Sequence, residues 1–200
     1  GNIGSIKKAI KDIIKNRPYQ LKVIKDDFNP MIFDKIILPG QGAYATLISN
    51  LKKFRIYQPL KKYLERDFSY LGICVGMQIL SDRGHEDKIT RGLGIISGEI
   101  KKFKGKKLII PHMGWNYVKQ TKVSPLTHEL YSDSRFYFVH SFAVLDHQIT
   151  DATAGISEVK DINFLSFIKS KNIMGCQFHP ERSGRAGLSL LKYFCELCHA

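Results

Sequence analysis

Apolar and polar positions run along the chain in two periods, and the switches between them lay out its elements. Ile3, Ile6, Ala9, Ile10, Ile13 and Ile14 recur at helical spacing and predict an opening helix that ends near Asn16-Arg17-Pro18. Leu21-Lys22-Val23-Ile24 and Asp34-Lys35-Ile36-Ile37-Leu38 read as two short strands, the second delivered into the loop Pro39-Gly40-Gln41-Gly42. Residues 43–51 and 56–65 return to helical spacing, and 68–73 form a strand that runs straight into a helix from 75 to about 81. This alternation predicts an α/β fold. Its sheet is mostly parallel, with helices on both faces and the functional site at the strands' carboxyl ends. From Gly92 the texture changes: 93–103, 107–111, 115–118 and 136–144 are short strands with turns, expected as antiparallel hairpins at one edge of the sheet. Residues 164–169 and 173–178 make another hairpin around Ser170-Lys171-Asn172, after which Ser183 is expected to cap a closing helix over 186–196.

Composition narrows the class. Two hundred residues with 44% hydrophobic content support one domain over 1–200 with a sizeable core, and 16 Gly and 7 Pro are too few for a disordered chain. No apolar run approaches the roughly 20 residues of a membrane span. No charged-then-apolar leader precedes the first helix, so a cytoplasmic location with no membrane partner is expected. The four cysteines fit a reducing compartment. Cys195-Glu196-Leu197-Cys198-His199 spells a haem-attachment string, but it ends an amphipathic helix and is read as helix surface and core. A net charge of +13 raises the question of nucleic acid, most of all at Lys101-Lys102-Phe103-Lys104-Gly105-Lys106-Lys107. That run lies between two apolar stretches and reads as a solvated hairpin turn around Gly105, and the other lysines are scattered. An acidic protein partner is the expected use of the charge, with no nucleic acid.

The chemistry centres on Tyr70-Leu71-Gly72-Ile73-Cys74-Val75-Gly76-Met77-Gln78. A strand that turns directly into a helix strains its pivot residue, and Gly72 and Gly76 carry no side chains to block the turn. The Cys74 thiol then stands at a helix N-terminus, which favours thiolate. Gly175-Cys176-Gln177-Phe178-His179-Pro180-Glu181 supplies a base. Pro180 stops the strand, and Glu181 is presented to the His179 ring by the same turn. Cys74, His179 and Glu181 together make a nucleophilic triad in which His179 takes the thiol proton and Glu181 orients the ring.

Gly72-x-Cys74-x-Gly76-x-Gln78 with His179-Pro180-Glu181 resembles the class I glutamine amidotransferases. Pro111-His112-Met113-Gly114-Trp115-Asn116 and Tyr137-Phe138-Val139-His140-Ser141-Phe142 narrow the resemblance to the glutaminase subunits of imidazole glycerol phosphate synthase. It implies hydrolysis of glutamine through a Cys thioester, no metal and no organic cofactor, and a heterodimer with a cyclase subunit that receives the ammonia. It implies an oxyanion hole from Gly40, Gln41, Gly42 and Val75, although Gly40 to Gly42 fits an ordinary strand-to-helix turn equally well. By resemblance Gln78 grips the substrate's amino-acid end, and the backbone of His140, Ser141 and Phe142 clamps it. Asn2, Met113, Trp115, Asn116 and Arg182 are implied at the partner interface, while the side chains of His140, His112 and Trp115 read as structural. Arg182 stands where the family commonly has Lys, and a forked guanidinium does not make the contact of an ammonium. The family carries an apolar strand before the Gly1-Asn2 pair, so the first strand is expected to be absent from this chain. Two other readings stay open: a paralogous glutaminase feeding another synthase, and a non-catalytic subunit of the same fold.

Overall fold

A computed structural model describes residues 3–24, 27–40, 42–105, 108–120, 134–146 and 152–197. In chain order its helices are α1 (Ile3–Ile14), α2 (Tyr44–Lys53), α3 (Tyr57–Glu65), α4 (Val75–Gln78) and α5 (Gly184–Leu197). The strands of the first half are β1 (Lys35–Gly40), β2 (Ser69–Cys74), β3 (Arg83–Gly84), β4 (Thr90–Arg91) and β5 (Glu99–Lys102). Those of the second half are β6 (His112–Tyr117), β7 (Lys119–Gln120), β8 (Arg135–His140), β9 (Phe142–Asp146), β10 (Thr153–Val159), β11 (Ile162–Ser170) and β12 (Ile173–Cys176).

The main sheet runs β1-β2-β12-β11-β10-β7. Strands β1, β2 and β12 are parallel, and β12-β11, β11-β10 and β10-β7 are antiparallel. Every residue of β2 is buried, as an apolar run covered on both faces must be. Its two neighbours set the site. Gly40 pairs with Cys74 across β1 and β2, and Gly175 and Cys176 pair with Gly72 and Ile73 across β12 and β2. Three chain exits therefore converge at one end of the parallel strands: the glycine loop after β1, the cysteine turn after β2, and the segment after β12 that carries His179. Buried side chains from α1 through the sheet to α5 form one apolar cluster around these strands.

Several expected elements are corrected. Residues 21–24 form no strand: Leu21 and Val23 are exposed, and among the described residues the segment pairs with no strand, not even the edge strand β1. The strand expected over 93–103 is only β5, because the amides of Leu93, Gly94, Ile95 and Ile96 are taken by carbonyls of Ile79, Ser81 and Leu80 at the end of the α4 turn. The hairpin around Gly105 is not made. β5 pairs with β3 and β9 instead, and the described residues of 107–111 hold no strand. The run 136–144 is cut at Ser141 into β8, which pairs with β6, and β9, which joins a separate sheet β4-β3-β5-β9. The antiparallel strands thus continue the main sheet and build two small sheets beside it. The hairpin β11-β12 forms with Ser170 opposite Ile173, as the turn residues predict. Strand β10 was not expected. At Gly155 a Cβ would lie 2.4 Å from Val118, and the pairing register with β11 shifts between Gly155 and Ile156, which breaks the alternation. Ser183 does not cap α5 with its side chain: Oγ donates to the His179 carbonyl at 2.7 Å and accepts from the Tyr137 amide at 2.9 Å.

Candidate active site

The pivot residue Cys74 has φ 55° and ψ −112°. A non-glycine residue rarely occupies that region, and the cost is of order 1–3 kcal/mol. Glycines on all sides make the turn possible. A Cβ on Gly72 would lie 2.4 Å from the Gly76 carbonyl oxygen, one on Gly76 would lie 1.9 Å from the Leu38 carbonyl oxygen, and one on Gly40 would lie 2.6 Å from the Gly76 nitrogen. The backbones of β1, β2 and α4 are packed against one another with no room for a side chain between them. Tyr70, fully buried on β2, locks the turn from below by donating its hydroxyl to the Gly76 carbonyl at 2.8 Å.

His179 follows β12 by three residues and is held by its backbone N–H to the Tyr137 carbonyl at 2.9 Å. Its Nδ1 lies 3.0 Å from Glu181 Oε1, both side chains being almost wholly buried. The second oxygen of Glu181, Oε2, is buried with no hydrogen-bond partner among the described residues. Burial lowers the His179 pKa, but hydrogen bonding to Cys74 and to Glu181 outweighs it, and the imidazole is pushed up to about 9. At neutral pH the ring holds its proton, so the cluster is poised as an imidazolium between a thiol site and a carboxylate. Cys176 is a bystander. It is buried, and burial first, then Glu181, pushes its thiol well above the ordinary range.

The other expected site residues are distributed as follows. Gln78 is buried, and its Nε2 donates to the Phe142 carbonyl and to Gln177 Oε1, each at 2.9 Å. Gln177 in turn donates Nε2 to the Cys74 sulfur at 3.5 Å. The Ser141 carbonyl accepts from the Phe103 amide at 3.1 Å. His140 is buried, with Nδ1 on the Phe142 carbonyl at 2.9 Å and Nε2 facing His112 Nδ1 at 3.1 Å, which is the structural role expected of both rings. Burial is the main reason that the His140 pKa falls to about 3. Gly40 and Val75 meet at the turn itself, and Gly42 has φ 101° with open space around it. Gln41 and Asn2 lie outside the described residues, as do Cys198 and His199. Among the described residues no three His, Cys, Asp or Glu side chains gather to hold a metal ion.

Strand β6 separates its two faces by alternation. Met113, Trp115 and Tyr117 point outward and are exposed, while His112 and Asn116 point inward, Asn116 donating to the Glu158 carbonyl at 2.9 Å. Arg182 is exposed, and its guanidinium lies 4.2 Å from the Tyr137 ring centre, with Trp115 edge-on to the same ring at 6.0 Å. A row of aromatic and basic side chains therefore runs outward from the turn that carries Glu181.

The profile of the family "Glutamine amidotransferase class-I" matches residues 2–197. The "Imidazole glycerol phosphate synthase subunit HisH" of Lactococcus lactis subsp. lactis (strain IL1403) is 40% identical over 166 residues, covering 82% of this chain and 79% of that protein. Its namesake in Methanocaldococcus jannaschii is 39% identical over 201 residues, 98% of this chain and 95% of that protein. The chain belongs to the class I glutamine amidotransferases, among the HisH subunits. Of the solved structures, "Structure of PurLQS from Thermotoga maritima" superposes with a TM-score of 0.65 over 94% of this chain and 91% of that one, at 19% identity, which speaks for the fold alone.

Three residues of this amidotransferase site escaped the sequence reading: Tyr70, Gln177 and Ser183. Tyr70 acts on the Gly76 carbonyl and Gln177 on the Cys74 sulfur, while Ser183 ties the His179 carbonyl to the Tyr137 amide. The one available signal was a polar Gln177 between the buried apolar neighbours Cys176 and Phe178, since a buried amide must find partners.

Proposed function

We propose that the chain hydrolyses glutamine to glutamate and ammonia and passes the ammonia to a cyclase subunit that makes imidazole glycerol phosphate in histidine biosynthesis. The Cys74 sulfur attacks the side-chain carboxamide carbon with its proton transferred to His179, and the carbonyl electrons move to oxygen. Collapse breaks the C–N bond, and the proton held on His179 goes to the departing nitrogen, leaving a thioester on Cys74. Water then adds to the thioester as His179 takes its proton, and the C–S bond breaks to release glutamate. The Val75 amide and one amide of the Gly40 to Gly42 segment hold the oxyanion. Backbone groups of His140, Ser141 and Phe142 bind the amino-acid end, with Gln78 behind them. Met113, Trp115 and Arg182 face the cyclase in a heterodimer, which we place in the cytoplasm.

The single observation that carries this reading is the strained Cys74, at φ 55°, whose thiol and the Glu181 carboxylate, 3.0 Å from His179 Nδ1, together raise the pKa of the buried His179 ring. A structural cysteine needs neither the strain nor the base. The 33–40% identity to HisH subunits supports the choice of acceptor. The test is ammonia release from glutamine by this chain mixed with a cyclase subunit and the cyclase's own ligand. Turnover that disappears in Cys74→Ala is expected. No turnover by the wild-type mixture, or full turnover by the variant, contradicts the reading.

A further inference from the structure

Five polar side chains outside the triad, Asn116, His112, His140, Gln78 and Gln177, lead from the inner face of β6 through the Phe142 carbonyl to the nucleophile, and their directions are fixed by that one carbonyl oxygen. The Phe142 carbonyl has only lone pairs to offer. His140 Nδ1 at 2.9 Å and Gln78 Nε2 at 2.9 Å must both donate to it. His140 is held neutral by burial, its pKa lowered to about 3, so its Nε2 accepts, and His112 Nδ1 at 3.1 Å is the donor. Burial lowers the His112 pKa as well, which leaves its Nε2 an acceptor facing Asn116 Nδ2 at 3.4 Å. On the other arm, Gln78 has turned its amide nitrogen to the carbonyl and to Gln177 Oε1. Gln177 therefore presents its own nitrogen to the Cys74 sulfur at 3.5 Å.

Gln177 has little freedom to do otherwise. It is 1% exposed, its backbone N–H is fixed to the Ser166 carbonyl at 2.9 Å, and it lies on the same short run as His179. The donor to the sulfur and the base for the sulfur are thus delivered by one rigid segment leaving β12. A neutral N–H aimed at the sulfur stabilises thiolate without competing for the proton on His179, and it fixes the direction from which the sulfur attacks.

We propose that Gln177 is a positioning residue for the nucleophile, aimed at the Cys74 sulfur by the hydrogen-bond chain that runs from the His112–His140 pair through the Phe142 carbonyl and Gln78. This rests on the glutaminase reading only in taking Cys74 as the nucleophile. It makes no use of substrate contacts.

The test is the rate of Cys74 carbamidomethylation by iodoacetamide at neutral pH, followed by peptide mass mapping, alongside kcat and KM for glutamine in the presence of the cyclase. Gln177→Met keeps the length of the side chain and removes the donor. It is expected to slow Cys74 alkylation about tenfold and to lower kcat by a similar factor with KM nearly unchanged, the size expected of one hydrogen bond to a charged group. His112→Phe keeps the ring packed on Phe138 and Phe164 but leaves His140 without its donor. It is expected to slow alkylation about threefold, on the attenuation typical of a coupled but distant site. Thermal melts show whether each variant is folded, and the His112 variant reads the same quantity if Gln177→Met is not. Wild-type alkylation rates in folded variants overturn the proposal. A loss confined to KM does so as well, since that is substrate binding. Wild-type protein that is alkylated at Cys74 yet releases no ammonia would strike the glutaminase reading and leave this one standing.

Discussion

The imidazole of His179 is the residue on which both stability and chemistry turn. Its pKa is raised above the unfolded value of about 6.5 to about 9, against the opposing effect of burial, by Cys74 and Glu181. A group bound more tightly to its proton in the folded state stabilises that state while it is protonated. The contribution is fully present below about pH 6.5 and is lost as pH rises through about 9. Glu181→Gln removes one source of the shift. Urea midpoints of wild type and Glu181→Gln measured from pH 6 to pH 10 are therefore expected to differ most at the acid end and to converge above about pH 9. A gap that is constant with pH, or that widens upward, contradicts the assignment of the shift. Cys74, His179 and Glu181 were legible in the sequence because each stands at a local punctuation mark, a glycine-bracketed turn or a proline stop. Tyr70, Gln177 and Ser183 were not: the elbow must fold back before Gly76 meets Tyr70, and Cys74 and Tyr137 reach Gln177 and Ser183 only through tertiary structure.

Among elements, the elbow between β2 and α4 depends on backbone surfaces that touch. Gly76→Ala would drive a Cβ to within 1.9 Å of the Leu38 carbonyl, and no flexible side chain is there to give way. The variant is expected to lose about 1–3 kcal/mol of stability, the usual range for overpacking, and at least tenfold in turnover. Gly105→Ala, whose Cβ would meet only Ile162 and Leu108 at 3.7 and 3.8 Å, is expected within about 0.5 kcal/mol of wild type. Chemical denaturation with a turnover assay checks both, and an undisturbed Gly76→Ala would show that the elbow is not tightly packed. The helices and the strands β1, β2, β11 and β12 followed from period and punctuation. The strand expected over 21–24 failed because extended chain needs a ladder partner, which local pattern does not reveal. Residues 93–96 read as strand by composition, yet their amides pair with carbonyls after α4. Ser141 lies inside an apolar run whose two halves join different sheets, and nothing local marks the division.

On the scale of the whole molecule, the chain carries a charge of +13, and the exposed row of Met113, Trp115, Tyr117 and Arg182 begins at the residue next to Glu181. Arg182 stacks on Tyr137, whose carbonyl holds the His179 amide, so one short contact path joins the surface to the base. Glutamine hydrolysis by the isolated chain is expected to be slow and to rise when the ligand-loaded cyclase binds, because coupling requires the partner to favour the active arrangement. Arg182→Ala is expected to lower the stimulated rate more than the basal rate, and removal of added salt to tighten association with an acidic partner surface. Equal losses in both rates would take Arg182 out of the coupling, and full activity of the isolated wild type would remove the coupling itself.

The central claim is that Cys74 is the nucleophile that glutamine meets. The most direct measurement is peptide mapping by mass spectrometry after exposure to an electrophilic analogue of glutamine, with and without an excess of glutamine. One label per chain on Cys74, slowed by glutamine and absent in Cys74→Ala, is the predicted result. Label on Cys176, Cys195 or Cys198 with Cys74 untouched would contradict it.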